Sequence, residues 1–192
     1  MNQMSDLEQA LGAVGDNLAM SGEAVSIVIV GGAALQLLGV VQRTDCVVDV
    51  VALRQEGRIG LRAPNPLPAS LARAVAAVAR SRGLPDDWLN TRVARLWDDG
   101  LPAGFARRLE WRDFGGLSIG VAARFDLIFF TVYAAAEDNG PASSHFQDLL
   151  SLQPSPEELG DAARWIHGRD PTSAFGAVVD RVVRQVGRQG SS

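Results

Sequence analysis

The stretch that most constrains this chain lies between residues 24 and 53. Residues 24–30 form a continuous run rich in β-branched side chains, which suits a central strand covered on both faces. Gly31 and Gly32 end the run, residues 33–38 read as a short helix, and Gly39 stops that helix. Residues 47–53 make a second buried strand whose apolar run is broken by Asp49, with Asp45 just ahead of it. A strand running into a glycine pair, a helix and an acid-bearing strand can bring bare backbone N–H groups near carboxylates. A site for phosphates and a metal ion can be built this way. The glycine pair alone is equally a tight turn, and the acidic strand is what sets the functional reading beside it.

The rest of the chain supplies helices and a hairpin. Leu7, Leu11, Val14 and Leu18 recur at helical spacing over residues 5–20, with Ser5 as N-cap and Glu8 three positions on. Residues 59–61 read as a short returning strand, and Pro64, Pro66 and Pro68 make an extended loop. Ser70 is expected to cap a helix that runs to Arg82 and ends at Gly83, and residues 84–90 to begin another short helical piece. Residues 107–114 and 117–121 read as two strands joined at Gly115-Gly116 in a hairpin. Residues 123–137 are apolar on nearly every side, which predicts a buried helix. Two or three more helices are expected, over 143–152, 155–167 and 172 to about 186. The fold class is therefore α/β or α+β, with an α/β core over 1–122 and a helical region over 123–192 packed on it as one compact unit.

Composition excludes several chemistries. All 18 basic residues are arginine, so neither a P-loop lysine nor a Schiff base can occur. Cys46 is the only cysteine, and with two histidines, His145 and His167, neither a multi-cysteine nor a three-histidine metal site can be assembled. Cys46 itself reads as a small buried hydrophobe among aliphatic neighbours. The net charge of −4 argues against a bulk nucleic-acid binder, and the arginines between 73 and 112 are read as solvated helix faces interleaved with acids. No apolar run reaches the roughly 18 residues of a membrane span, and the polar start lacks a signal-peptide pattern. The expected location is cytoplasmic, without a membrane partner.

Ile29-Val30-Gly31-Gly32, Arg43, the strand carrying Asp49, Arg124-Phe125-Asp126-Leu127-Ile128-Phe129 and His145-Phe146-Gln147-Asp148-Leu149-Leu150 together resemble the nucleotidyltransferase fold. The branch it most resembles is that of bacterial proteins related to minimal nucleotidyltransferases and to AbiEii-type toxins, and the resemblance covers most of the chain. It implies a small mixed sheet flanked by helices, with nucleotide phosphates on Gly31 and Gly32 and magnesium on an Asp-x-Asp pair. It also implies transfer of a nucleoside monophosphate from a nucleoside triphosphate to a hydroxyl of an RNA, protein or small-molecule acceptor. A toxin-like role would add an antitoxin partner. Under this resemblance Arg43, Asp126 and Asp148 fall at nucleotide-binding positions, Asp49 and Asp45 at metal-binding and catalytic ones, and Glu110 at the third carboxylate. Glu110 reads equally as a solvent-facing strand residue, Asp126 as a first-turn acid of its helix, and Asp148 as a salt-bridge partner.

The chain departs from that pattern at Val47, which stands where the first aspartate of the pair belongs. On a regular strand Asp45 and Asp49 would lie roughly 13 Å apart, against about 6.6 Å for residues two apart. Only a bend or bulge before Val47 would bring Asp45 back. Thr131 stands where the family carries a lysine, leaving Arg124 as the candidate replacement. These departures leave two readings: a magnesium-dependent transferase, or a catalytically degraded relative that binds a nucleotide or a partner. A third motif, Gly116-Leu117-Ser118-Ile119-Gly120, matches a hydrolase nucleophile elbow in letters, but Ile119 and Val121 continue a strand where the elbow needs a helix.

Overall fold

A computed structural model describes residues 5–43, 47–55, 60–138, 140, 143–169 and 173–189. Within them the chain forms eight α-helices and a six-stranded mixed sheet, and it divides into two compact units, residues 1–122 and 123–192.

The first unit begins with helix α1, Asp6–Met20. Ser5 accepts from the Glu8 N–H while the Glu8 carboxylate accepts from the Ser5 N–H, so the capping box read from the sequence is formed. Strand β1, Val25–Val30, leads into helix α2, Gly31–Leu37, and on to β2, Val48–Arg54. After the short β3, Leu61–Arg62, helix α3 spans Ala69–Arg82. Its N-cap position is Pro68, so Ser70, expected as the cap, lies inside the first turn. The helical piece expected over 84–90 is instead a turn followed by strand β4, Leu89–Asn90. Trp88 explains the change. Its N–H closes a turn on the Pro85 carbonyl, its indole is buried and donates to the Val75 carbonyl, and its own carbonyl accepts from Val48 N–H. That places Leu89 and Asn90 against the edge of β2.

A 3₁₀ turn, Arg92–Ala94, and the one-turn helix α4, Arg95–Asp98, pack on β2. A second 3₁₀ turn, Phe105–Arg107, occupies the start of the segment expected as a strand, and β5 runs only from Glu110 to Phe114. It turns at Gly115, whose φ of +62° suits glycine, into β6, Leu117–Val121. The predicted hairpin is thus present.

The sheet order is β3-β2-β1-β6-β5, with β4 also on the outer edge of β2. β1 pairs antiparallel with β2 and parallel with β6. Register puts Ile27, Ile29, Val50, Leu53, Ile119 and Val121 on one face, all fully buried or nearly so. The other face carries the buried Val28, Val30 and Ala52 together with the half-buried Ser26, Asp49 and Ser118 and the exposed Trp111.

The second unit holds α5 (Arg124–Glu137), α6 (Ser144–Ser151), α7 (Pro156–His167) and α8 (Ser173–Gln189). α5 packs against each of the other three, which is why its sequence is apolar around the helix. α7 opens with a second capping box, Ser155 with Glu158. No helix among the described residues is long and apolar enough to cross a membrane.

Arg124 locks the start of α5 to the chain leading into α7. Its guanidinium donates to the Leu152 and Gln153 carbonyls at 3.0 and 2.8 Å and to both Glu158 carboxylate oxygens at 2.6 and 3.2 Å. Those hydrogen bonds hold the Glu158 carboxyl below the ordinary glutamate range, against the opposing pull of partial burial. A depressed pKa means that the pair stabilises the fold above the ordinary range, near pH 4.3, and ceases to do so as pH falls through the lowered value. Because the Arg124 side chain is 43% exposed, solvent screening limits the contribution to about 1 kcal/mol or less. Thermal melts should show Glu158→Gln less stable than wild type at pH 6, with the two converging below pH 4. A gap that widens in acid would contradict this assignment.

Candidate functional site

The sequence-predicted glycine pair and two of its predicted partners meet at the end of β1. Gly31 has φ +71°, and a β-carbon there would stand 3.1 Å from Asp49 Oδ2. A β-carbon on Gly32 would stand 3.2 Å from Arg43 Nη1. One glycine therefore lies against a carboxylate and the next against a guanidinium. A side chain at either position would have to displace the charged group, and at Gly31 the backbone conformation adds strain.

Each charged group has a local reason to be there. Asp49 pairs with Val30, the residue just before the glycines. Arg43 is tethered to α2, because Gln36 Nε2 donates to its carbonyl at 3.3 Å. Asp49 and Arg43 are both half-buried. Asn90 stands beside Asp49 in register on the outer side of β2 and is 8% exposed. Its amide bridges two elements, donating to the Val48 carbonyl at 3.4 Å and accepting from the Arg92 N–H at 2.9 Å. Sequence reasoning missed Asn90, because a two-residue edge strand has no periodicity and its partner lies 41 positions away.

Which face Asp49 occupies depends on a β-bulge. Ile27 and Val28 pair with Leu53 and Ala52, whereas Ile29 and Val30 pair with Val50 and Asp49, leaving Val51 as the extra residue. Strict alternation from Leu53 would have put Asp49 on the aliphatic face. The bulge turns it onto the opposite face. It lies after Asp49 in the chain, not before Val47, where bringing Asp45 back would require it.

The other predicted residues are distributed differently. Val47 precedes β2 and is 38% exposed. Asp45 and Cys46 lie outside the described residues. Glu110 pairs with Val121, which pairs with Ile29, so it belongs to the face opposite Asp49 and stands three strands away from it. With strands about 4.8 Å apart, the two carboxylates are separated by on the order of 14 Å. Glu110 is exposed and cannot complete a metal site with Asp49, so the solvent-facing alternative is the one realised. In the second unit, Asp126 is fully buried in the first turn of α5 and Asp148 is 5% exposed in α6. Arg124, the candidate replacement for the missing lysine, has its donors committed to Leu152, Gln153 and Glu158. Ser118 lies within strand β6 and donates to Asp113 Oδ1 at 2.6 Å, so the elbow geometry is not formed.

Among the described residues, no group of three or more His, Cys, Asp or Glu side chains is placed to hold a metal ion. Asp49 can supply one oxygen ligand to a magnesium ion that arrives with a triphosphate, since such ions take one or two carboxylates plus phosphate oxygens. Neither Glu110, on the opposite face, nor Val47 supplies a second carboxylate beside Asp49. No family model, curated protein or solved structure matches the chain.

Proposed function

We propose that the first unit is a nucleotidyltransferase-like module that binds a nucleoside triphosphate at Gly31, Gly32, Arg43 and Asp49. The observation that carries the reading is that the Asp49 carboxylate and the Arg43 guanidinium occupy the space where side chains on Gly31 and Gly32 would stand. Bare glycine backbone lets phosphate oxygens approach closely, a guanidinium offers forked donors that match them, and one carboxylate can share a cation carried by the nucleotide.

The reaction of such a module would be attack of an acceptor hydroxyl on the α-phosphorus, forming a phosphoester and breaking the α–β anhydride, with pyrophosphate leaving. Bound magnesium would neutralise charge on the phosphates. Arg43 would orient the phosphate chain, and Asp49 would fix the face from which the cation is held. Turnover also needs a second carboxylate within reach of Asp49, and Asp45 is the residue assigned to it.

Binding without turnover is the second reading. It is supported by Val47 at the first aspartate position and by Glu110 on the opposite face.

Calorimetry with each nucleoside triphosphate, with and without magnesium, tests the proposal. Magnesium-enhanced binding is expected, weakened at least about tenfold in Asp49→Ala, the size of losing one charge-assisted contact. Pyrophosphate release that disappears in Asp45→Ala would establish the transferase reading. Binding with no release would establish the second, and no binding of any triphosphate would refute both.

A further inference from the structure

A separate groove lies in the first unit, lined by Leu61 of β3, Trp97 of α4 and residues 100–107. Its volume is about 510 Å³, inside the range of small-molecule sites, roughly 300–1,000 Å³. Leu61, Leu101, Pro102, Ala103 and Ala106 give it apolar walls, and the half-buried Trp97 adds an indole. One charged side chain lines it. Arg107 is exposed, and its guanidinium has no hydrogen bond or ion pair among the described residues. The neighbouring acids Asp98 and Asp99 are outside the lining.

We propose that this groove binds a small amphipathic organic acid, with its aromatic or branched apolar body against Trp97 and Leu101 and its anionic group on Arg107. The apolar walls give a body of that kind surface to bury, and an unpartnered guanidinium at the wall selects a negative group over a neutral or positive one. This site is independent of the glycine pair and of the nucleotide reading.

The full chain would be titrated by fluorescence with 1-anilinonaphthalene-8-sulfonate and with N-phenyl-1-naphthylamine, which has the same aromatic body without the charge. Saturable binding of one equivalent is expected, with the sulfonate held about 2- to 5-fold more tightly, the range of one exposed ion pair. Arg107→Ala should erase that preference and Arg107→Lys restore part of it. Ala103→Trp, at an exposed position in the lining, should block both probes while the thermal melt stays unchanged. Non-saturable binding, a preference that survives Arg107→Ala, or binding indifferent to Ala103→Trp would each overturn the proposal.

Discussion

Gly15→Ala is expected to lower stability by about 3 kcal/mol or more, a large part of an ordinary folding margin of roughly 5–15 kcal/mol. Gly15 is buried in the middle of α1, and a β-carbon there would lie 1.4 Å from the Phe114 carbonyl oxygen and 2.6 Å from its carbon. The obstacle is backbone on both sides, since Gly116 N–H donates to the Gly15 carbonyl at 3.0 Å. Relief therefore requires α1 to lift from the β5–β6 hairpin. Gly12, one turn earlier, is the control: a β-carbon there meets nothing within 4 Å. Gly12→Ala should be neutral or stabilising by up to about 1 kcal/mol, because alanine loses less conformational freedom in a helix. For a chain of 192 residues the Gly15 variant, where it folds, should melt at least about 6–12 °C below wild type. Equal melting temperatures for the two variants would show that the helix does not rest on the hairpin as described.

The second large effect concerns the metal. Val47→Asp should raise affinity for magnesium or manganese in the presence of a nucleoside triphosphate by at least about tenfold, by adding a second carboxylate two positions from Asp49. Residues two apart share a face at about 6.6 Å, so both carboxylates can reach one ion. Val47 is 38% exposed, so the new charge stays solvated and little packing is lost. Calorimetric titration of the metal into protein with triphosphate gives the comparison. If wild type already matches the variant, another residue supplies the second ligand, and the Asp45→Ala variant identifies it.

What could be read from the sequence was what short-range chemistry determines. Ser5 with Glu8, and Ser155 with Pro156 and Glu158, announce helix starts because the cap and its partner sit three residues apart. Gly115-Gly116 announces a hairpin for a similarly local reason. Leu89–Asn90 gave no such sign: it is a strand only because Val48 and Asp49 lie alongside it. The bulge at Val51 was hidden too, since residues 50–53 are all apolar and show no alternation to mark a slip. The closeness of Gly31 and Gly32 to Asp49 and Arg43 was therefore legible, but the face of the sheet that Asp49 occupies and its distance from Glu110 were not. Arg124 was equally opaque, because its partners are set by how α5 meets the chain leading into α7.

That extra residue at 51 makes β2 a strand with two phases. Its C-terminal half points Leu53 into the aliphatic layer by one count, and its N-terminal half points Val50 into the same layer by another. Deleting Val51 would remove the extra residue and leave a regular strand in which Leu53, Val50 and Val48 still point into the aliphatic layer and Asp49 still points away from it. Straightening the strand with Val51 retained would instead drive the acid toward the aliphatic layer, and Val48 and Val50 away from it. Loss of that one valine should therefore spare the face on which the acid stands and cost the strand only its local bend, so the slip and not the valine side chain is what the fold depends on.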